Sequence, residues 1–416
     1  MTTVVIGGGI IGLCTAWSLH RRGVEVQVLE ASTVGQSASA VNAGWVTPSL
    51  STPLASPGIL ATGLKHAFQR DGALRIRPRL DVGWLHWLWQ FQRASRPREY
   101  HAGVRALLDL NHRTLDLFDE LEDTGVEFES HEAGLLALAL EPGGLGWFRQ
   151  LFDELVPMGF TGGIHYLNAA EARELDPAVG ENVAAAAHTT IDRHVQPDSL
   201  LAGLKRWLND AGVKVTEHAA VRSVERRPAG WKVEHTQGVE AAEHVVVALG
   251  AATNQVLRTV GTKLPILGAK GYSVTVRGFE TPPAHSFYLM EAKLGVSPFA
   301  EGVRIAGAFD LPGTDDHVDD RRIRALVDQL RPYIAGAGSD LRADVSTARA
   351  GLRPATPNSL PFIGEVPGRP GLYVAAGHGM LGLTLAPATA EAIADLITGS
   401  APHSPIEAFA LEGRIA

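Results

Sequence analysis

Residues 4–30, VVIGGGIIGLCTAWSLHRRGVEVQVLE, constrain the fold more than any other stretch of this chain. Val4, Val5 and Ile6 form a short apolar run suited to a buried parallel strand. Gly7, Gly9 and Gly12 follow with G-x-G-x-x-G spacing. The first allows a sharp turn, the second a close backbone approach to a pyrophosphate, and the third tight packing of helix on strand. The helix that follows presents free N–H groups and a positive dipole end, which favour a phosphate. Gly23 closes it, Val24 to Leu29 form a second strand, and Glu30 stands where a carboxylate can accept ribose hydroxyls. A bare glycine fingerprint is a weak signal. A strand before it, a helix after it and an acid at Glu30 predict a dinucleotide-binding βαβ unit, with an ordinary βαβ turn as the alternative.

At 416 residues the chain is long enough for two lobes. A net charge of −8 argues against a general nucleic-acid binder. No apolar run reaches the ~18 residues of a membrane-spanning helix. The first strand starts at once without a leader pattern, and Cys14 is the one cysteine. Together these point to a reducing, cytoplasmic location, with Cys14 packed as a small apolar group. The sixteen histidines show no compact ligand spacing, so no metal site is expected.

Ala31 to Gly58 is a long stretch rich in Ser, Ala, Gly and Pro, the kind of loop that is usually functional. Within it, Asn42-Ala43-Gly44 carries so little side chain that a flat ligand can lie against its backbone. Lys65 to Thr124 reads as mainly helical, with Val104, Leu107, Leu108, Leu115, Phe118 and Leu121 at helical spacing. Trp84, Trp87, Trp89 and Phe91 read as packing residues; a membrane-surface helix or an electron-acceptor contact is the alternative. Leu135 to Leu140 predicts a strand. Pro197 to Leu208 predicts a helix leading to a strand at Val213 to Thr216. A ribbon is expected at Val221 to Glu225 and Trp231 to Glu234, and buried strands at Val245 to Leu249, Leu264 to Arg277 and Tyr288 to Ala308. The acidic run at Asp315, Asp316, Asp319 and Asp320 reads as a solvated loop and helix start, with the helix running to Leu330. The chain then returns to a strand at Leu372 to Ala375, a glycine-rich bend at Gly377 to Gly382, and a helix from Pro387 to Ile397.

The fingerprint alone does not separate NAD from FAD. A flavin, however, needs a second contact far from its adenosine end, and the terminal strand–glycine–helix unit can supply one. GGGIIGLCTAWSL at 7–19, SAVNAGWVTPSLSTPLASPG at 39–58, KGYSVTV at 270–276, GLRPATPNSLPFIG at 351–364 and GHGMLGLTLAPATAEAIADLI at 377–397 carry a resemblance over nearly the whole chain. It resembles bacterial D-amino acid dehydrogenases of the flavin-dependent amine oxidoreductase superfamily, which also holds glycine oxidase, sarcosine oxidase and D-amino acid oxidase. The resemblance implies an α/β fold with an α+β second lobe. In it, an N-terminal Rossmann-like FAD-binding domain (1–64, 166–257 and 341–416) interleaves with an antiparallel-sheet substrate domain (65–165 and 258–340).

The same resemblance implies roles for individual residues. Gly7, Gly9, Ile10, Ile11 and Gly12 cradle the pyrophosphate, Glu30 and Ala31 meet the adenosine ribose, and Val221 presents its backbone to the adenine. Gly250 lies beside the cofactor, and Asn42-Ala43-Gly44 lies along the isoalloxazine edge near N5. Gly377, Gly379, Met380, Leu381 and Gly382 cap the pyrimidine end, where a helix N-terminus favours the charge that builds on reduction. Arg353 is the expected carboxylate partner, because a guanidinium gives two parallel hydrogen bonds; the alternative is a surface arginine in a proline-rich loop. Tyr288 and Tyr272 are candidates at the carboxylate or over the ligand, and His378 is a candidate contact to flavin or substrate, each with a core role as its alternative.

Some relatives tether the cofactor through a cysteine near the C-terminus. Cys14 lies in the first helix instead, so FAD is expected to be non-covalent. The implied reaction is oxidation of a D-amino acid, or a cyclic amine such as D-proline or D-hydroxyproline, by hydride transfer from Cα to flavin N5. Electrons then pass to a quinone or another carrier, with peripheral contact to the inner membrane face as a further expectation. The rivals are an oxygen-using oxidase of the glycine or sarcosine type, a nicotinamide-dependent dehydrogenase, and a non-catalytic flavin-binding protein.

Overall fold

A computed structural model describes residues 1–59, 72–77, 79, 81–337 and 340–414. Thr2–Ile6 pairs in parallel with Glu25–Leu29 on one side and His244–Val247 on the other. The six-stranded sheet runs Lys214–Thr216, Glu25–Leu29, Thr2–Ile6, His244–Val247, Leu372–Ala376, Phe362–Glu365, only the last strand being antiparallel. Val4, Val5, Val28, Val245 to Val247 and Val374 are buried, as strands covered on both faces require. The helices Ile10–Arg21 and Gly382–Thr398 pack together over one face. A three-stranded ribbon, Val221–Arg227, Gly230–His235 and Gly238–Ala242, covers the other through Val224, Trp231 and Val233.

The second sheet has nine strands among the described residues. Its order is Arg342–Ala355, Leu267–Arg277, Gly302–Leu311, Leu294–Phe299, Ser286–Leu289, Leu135–Ala139, Ala185–Thr189, Ile164–Asn168, with Leu74–Ile76 beside the end of Gly302–Leu311. Side chains alternate across it. Tyr272, Val274, Val276, Phe287 and Leu289 form a core with Ile323, Leu326 and Leu330 of the helix Asp320–Leu330. The opposite face meets the dinucleotide unit: an added Cβ on Gly295 would lie 2.8 Å from the Cβ of Ala43, and one on Gly351 would lie 3.1 Å from Val41.

Several expectations change. Ile164–Asn168 and Ala185–Thr189 hydrogen-bond into the larger sheet, as does Arg342–Ala355, so parts of the stretches expected in the dinucleotide unit lie with the other sheet. Long-range ladder partners decide this, and local patterning does not carry them. The C-terminal helix begins at Gly382 rather than Pro387, which sits inside it. Leu74–Ile76 is a strand within the region expected to be mainly helical, and 65–71 lie outside the described residues. The aromatic segment divides by face: Trp84, Trp87 and Phe91 stack at 5.9 and 5.4 Å in the core, while Val82, Leu85 and Trp89 are exposed. No helix among the described residues is long and apolar enough to cross a membrane.

Candidate active site

The opening turn is built by close backbone contact. Gly7 adopts φ +115°, and a Cβ there would sit 2.5 Å from the Ala248 carbonyl. A Cβ on Gly12 would lie 1.9 Å from Gly7 O, so helix and strand touch through bare backbone. Gly9 precedes the helix in extended conformation without a side-chain cap, leaving the first-turn amides turned outward. Ile10 is buried and Ile11 partly buried in the core, so only their amides can serve a ligand; Ile10 N already donates to Ser39 Oγ at 3.0 Å. Glu30 is held at this turn. Its carboxylate accepts from Gly8 N at 2.7 Å and Ser32 N at 2.9 Å, while exposed Ala31 lies between. Ala219 N donates to Glu30 O at 2.7 Å, which brings the ribbon strand beginning at Val221 alongside.

Three loops converge on the strand Arg342–Ala355. Its Gly351 packs on Val41 and Ala38, the lead-in to Asn42-Ala43-Gly44. There Gly44 N donates to Asn42 Oδ1 at 2.7 Å, and Gly44, at φ +77°, passes so close to Val195 that a Cβ would meet its carbonyl at 2.2 Å. Gly250, at φ +53°, faces Pro354, and Gly379 N donates to Pro354 O at 2.9 Å. A Cβ on Gly379 would meet nothing within 4 Å, so this bend borders open space. Met380 is exposed, Leu381 caps the C-terminal helix and Gly382 begins it.

Arg353 lies on that strand, partly buried, rather than in a surface loop. Its Nη1 donates to Ala308 O at 2.7 Å. Ala308, at φ +60°, sits at an irregularity in the ladder between Lys270/Asp310 and Tyr272/Gly307, which turns its carbonyl toward the guanidinium. Burial pulls the guanidinium down to about 10, offset in part by Asp310. Asp310 is itself ion-paired with buried Arg322. Asp310 is thus spent on Arg322 and acts on Arg353 only from a distance; among the described residues no carboxylate is within ion-pair range of Arg353.

The other candidates are not gathered at Arg353. Tyr272 is on the opposite face, buried against the Asp320–Leu330 helix layer, with Lys270 Nζ 5.4 Å from its ring. Adjacent strand residues point to opposite sides, so Gly271 rather than Tyr272 faces Arg353. Tyr288 shares Arg353's face, on the fourth strand across the sheet from the one that carries Arg353. There it packs edge-on against Trp45 at 5.6 Å, and burial pushes its phenol up. His378 is buried, bonded to Thr389 Oγ1 at 3.0 Å and pulled down to about 3 by burial, the signature of a structural neutral imidazole.

A model of the FAD dependent oxidoreductase family matches residues 2–396. The chain belongs to that family. Among curated relatives it is 30% identical to a D-amino acid dehydrogenase of Cereibacter sphaeroides over 100% of this chain and 97% of the relative. To one of Helicobacter pylori it is 27% identical over 94% of each. Among solved structures, glycine oxidase from Geobacillus kaustophilus superposes with a TM-score of 0.79 at 24% identity, covering 100% and 99% of the two chains. L-proline dehydrogenase from P. horikoshii gives 0.73 at 21% identity, covering 99% and 96%. At these identities the structural matches establish the fold.

The residues present fit an FAD. Bare glycine backbone at the opening turn, Glu30 at the end of the second strand, and the open bend at Gly379 border the two ends of such an elongated cofactor. Sequence reasoning missed Gly271 and Trp45. Both stand inside stretches that carry the family resemblance, yet their roles depend on neighbours across the sheets: Arg353 for Gly271, Tyr288 and Ser297 for Trp45, whose indole donates to Ser297 Oγ at 3.1 Å.

Proposed function

We propose that this family member oxidises the amine of a D-amino acid, or of a cyclic analogue, to an imine that water converts to a 2-oxo acid. The carrying observation is Arg353: a partly buried guanidinium without a carboxylate partner among the described residues, on the face where the loops Asn42–Gly44 and Gly377–Gly382 meet. An α-amino carboxylate supplies the missing charge and geometry. The names of the curated relatives support the same substrate class.

Gly7, Gly9, Gly12 and Glu30 are the residues for the adenosine end of FAD, and Asn42-Ala43-Gly44, Gly250 and Gly377–Gly382 those for its ring end. Bound FAD supplies a two-electron acceptor for the hydride that leaves Cα. The chain's own contribution is orientation: Arg353 holds the carboxylate, while Ala308 O and the space at Gly271 hold Arg353. His378, neutral and engaged with Thr389, has no free role as a base. Quinone or another carrier as acceptor, a cytoplasmic location and contact with a membrane surface through Val82, Leu85 and Trp89 belong to this reading, as does a division into an FAD domain and a substrate domain centred on the two sheets.

Anaerobic addition of D- and L-amino acids to the FAD-loaded protein tests it. Bleaching of the flavin bands by D-isomers is expected, and bleaching by neither series overturns it. Dye reduction without peroxide release under air marks a dehydrogenase rather than an oxidase.

A further inference from the structure

Next to Arg353 the structure holds an apolar chamber with a cavity volume of about 50 Å³. Leu54, Ile76, Trp87, Phe91, Phe309 and Leu311 line it. Its floor continues the surface that carries Arg353. Ala355, also in the lining, lies two residues further along the strand on the same side, roughly 6.6 Å away. Phe309 directly follows Ala308, whose carbonyl accepts from the guanidinium. His378 to Leu381 line the side toward the glycine bend.

Among the described residues that line the chamber there is no aspartate, glutamate, lysine or arginine, and His378 is the one titratable group. The chamber's polar groups are already engaged: Thr356 Oγ1 donates to Leu360 O at 2.9 Å, Ser359 Oγ accepts from Ala55 N at 3.1 Å, and His378 bonds Thr389. A charged side chain placed here would lose its water without gaining a partner, whereas an aliphatic or aromatic one would bury its surface.

We propose that the chamber receives the substrate side chain, so that the preferred substrates are amino acids with apolar side chains. This rests on the deamination reading above. With its carboxylate on Arg353, a substrate has this chamber directly beside it.

The test uses the FAD-loaded enzyme under anaerobic conditions, with the second-order rate of flavin bleaching measured for D-leucine, D-phenylalanine, D-alanine, D-aspartate and D-lysine. D-leucine and D-phenylalanine are expected to exceed D-alanine at least ~10-fold, and D-aspartate and D-lysine to fall ~100-fold below it. Leu88→Lys, on a half-buried position of the lining, is expected to lower the D-leucine to D-aspartate ratio ~10-fold or more. A readout without turnover is the thermal shift: 4-methylpentanoate, the amine-free counterpart of leucine, is expected to raise Tm more than succinate. D-aspartate or D-lysine matching D-leucine would overturn the proposal. So would a Leu88→Lys enzyme that keeps its side-chain preference and instead changes KM for a short-chain quinone, which makes the chamber an acceptor site. Bleaching by no amino acid at all is a different result: it removes the deamination reading and this proposal with it.

Discussion

Gly271 and Arg353 compete for one volume: a Cβ on Gly271 would lie 1.8 Å from Arg353 Nη1 and 2.2 Å from Cζ. The two sit on adjacent antiparallel strands, where Ala269 is opposite Arg353 and Gly271 opposite Gly351. Absence of a side chain at 271 is therefore what lets the guanidinium lie across the sheet and reach the carbonyl of Ala308. Gly271→Ala is expected to displace Arg353 and raise KM for an amino acid substrate ~10-fold or more, with a smaller change in kcat. Steady-state kinetics with FAD content held equal checks this. An unchanged KM would show that the guanidinium position is irrelevant to binding.

Arg353→Ala is expected to lower kcat/KM by ~3 kcal/mol or more, because the substrate carboxylate is left without its charged partner. Arg353→Lys should recover only part of this, since a point charge cannot reproduce the planar fork. A loss below threefold for the alanine variant would reject the assignment.

The contact between Gly12 and Gly7 leaves no room for a methyl group. Gly12→Ala is expected to push the first helix off the strand, with protein purified largely free of flavin and a stability loss of ~1–3 kcal/mol. Visible absorbance and denaturant titration measure the two effects.

Cys14 is buried, and burial pushes its thiol up. An inert thiol in this position predicts that acid precipitation releases the yellow colour to the supernatant. Colour remaining in the pellet would mean a covalent link elsewhere.

His378 is pulled down to about 3 from an ordinary 6.5 by burial. Its unfolded form takes up a proton below pH 6.5 while the folded form stays neutral, so the unfolded state binds more protons and stability falls as pH falls from 6.5 toward 3. The slope is up to ~1.4 kcal/mol per pH unit. His378→Gln, which does not titrate, should flatten the wild-type stability curve over that window. Asp192 acts with opposite sign. Burial raises its carboxyl from 3.8 to about 6 despite hydrogen bonds from Ser49 and Thr189, so its contribution weakens as pH rises between those values. Denaturation midpoints across pH 4–7 for wild type, His378→Gln and Asp192→Asn separate the two.

The opening βαβ unit was legible in the sequence because its determinants are neighbours along the chain: the glycine spacing, the flanking apolar runs and Glu30 lie within thirty residues. Arg353 was singled out through the motif around it. For Tyr272 the sequence left a ligand role and a core role open, because a motif does not say which side of a strand each residue takes; the alternation that puts Gly271 under Arg353 sends Tyr272 into the opposite core. Pro387 read as a helix start because proline favours first turns, yet the helix begins at Gly382, at the end of a glycine bend tied to Pro354.

By itself, then, the chain determined the opening βαβ unit and the family, both written in local spacing and motif. Only the tertiary structure decided that Arg353 has no carboxylate partner among the described residues, that Tyr288 packs against Trp45, and that an apolar chamber opens beside Arg353. The reason is physical: charge pairing, sheet face and cavity shape are set by residues distant in sequence that meet only when the two sheets pack together.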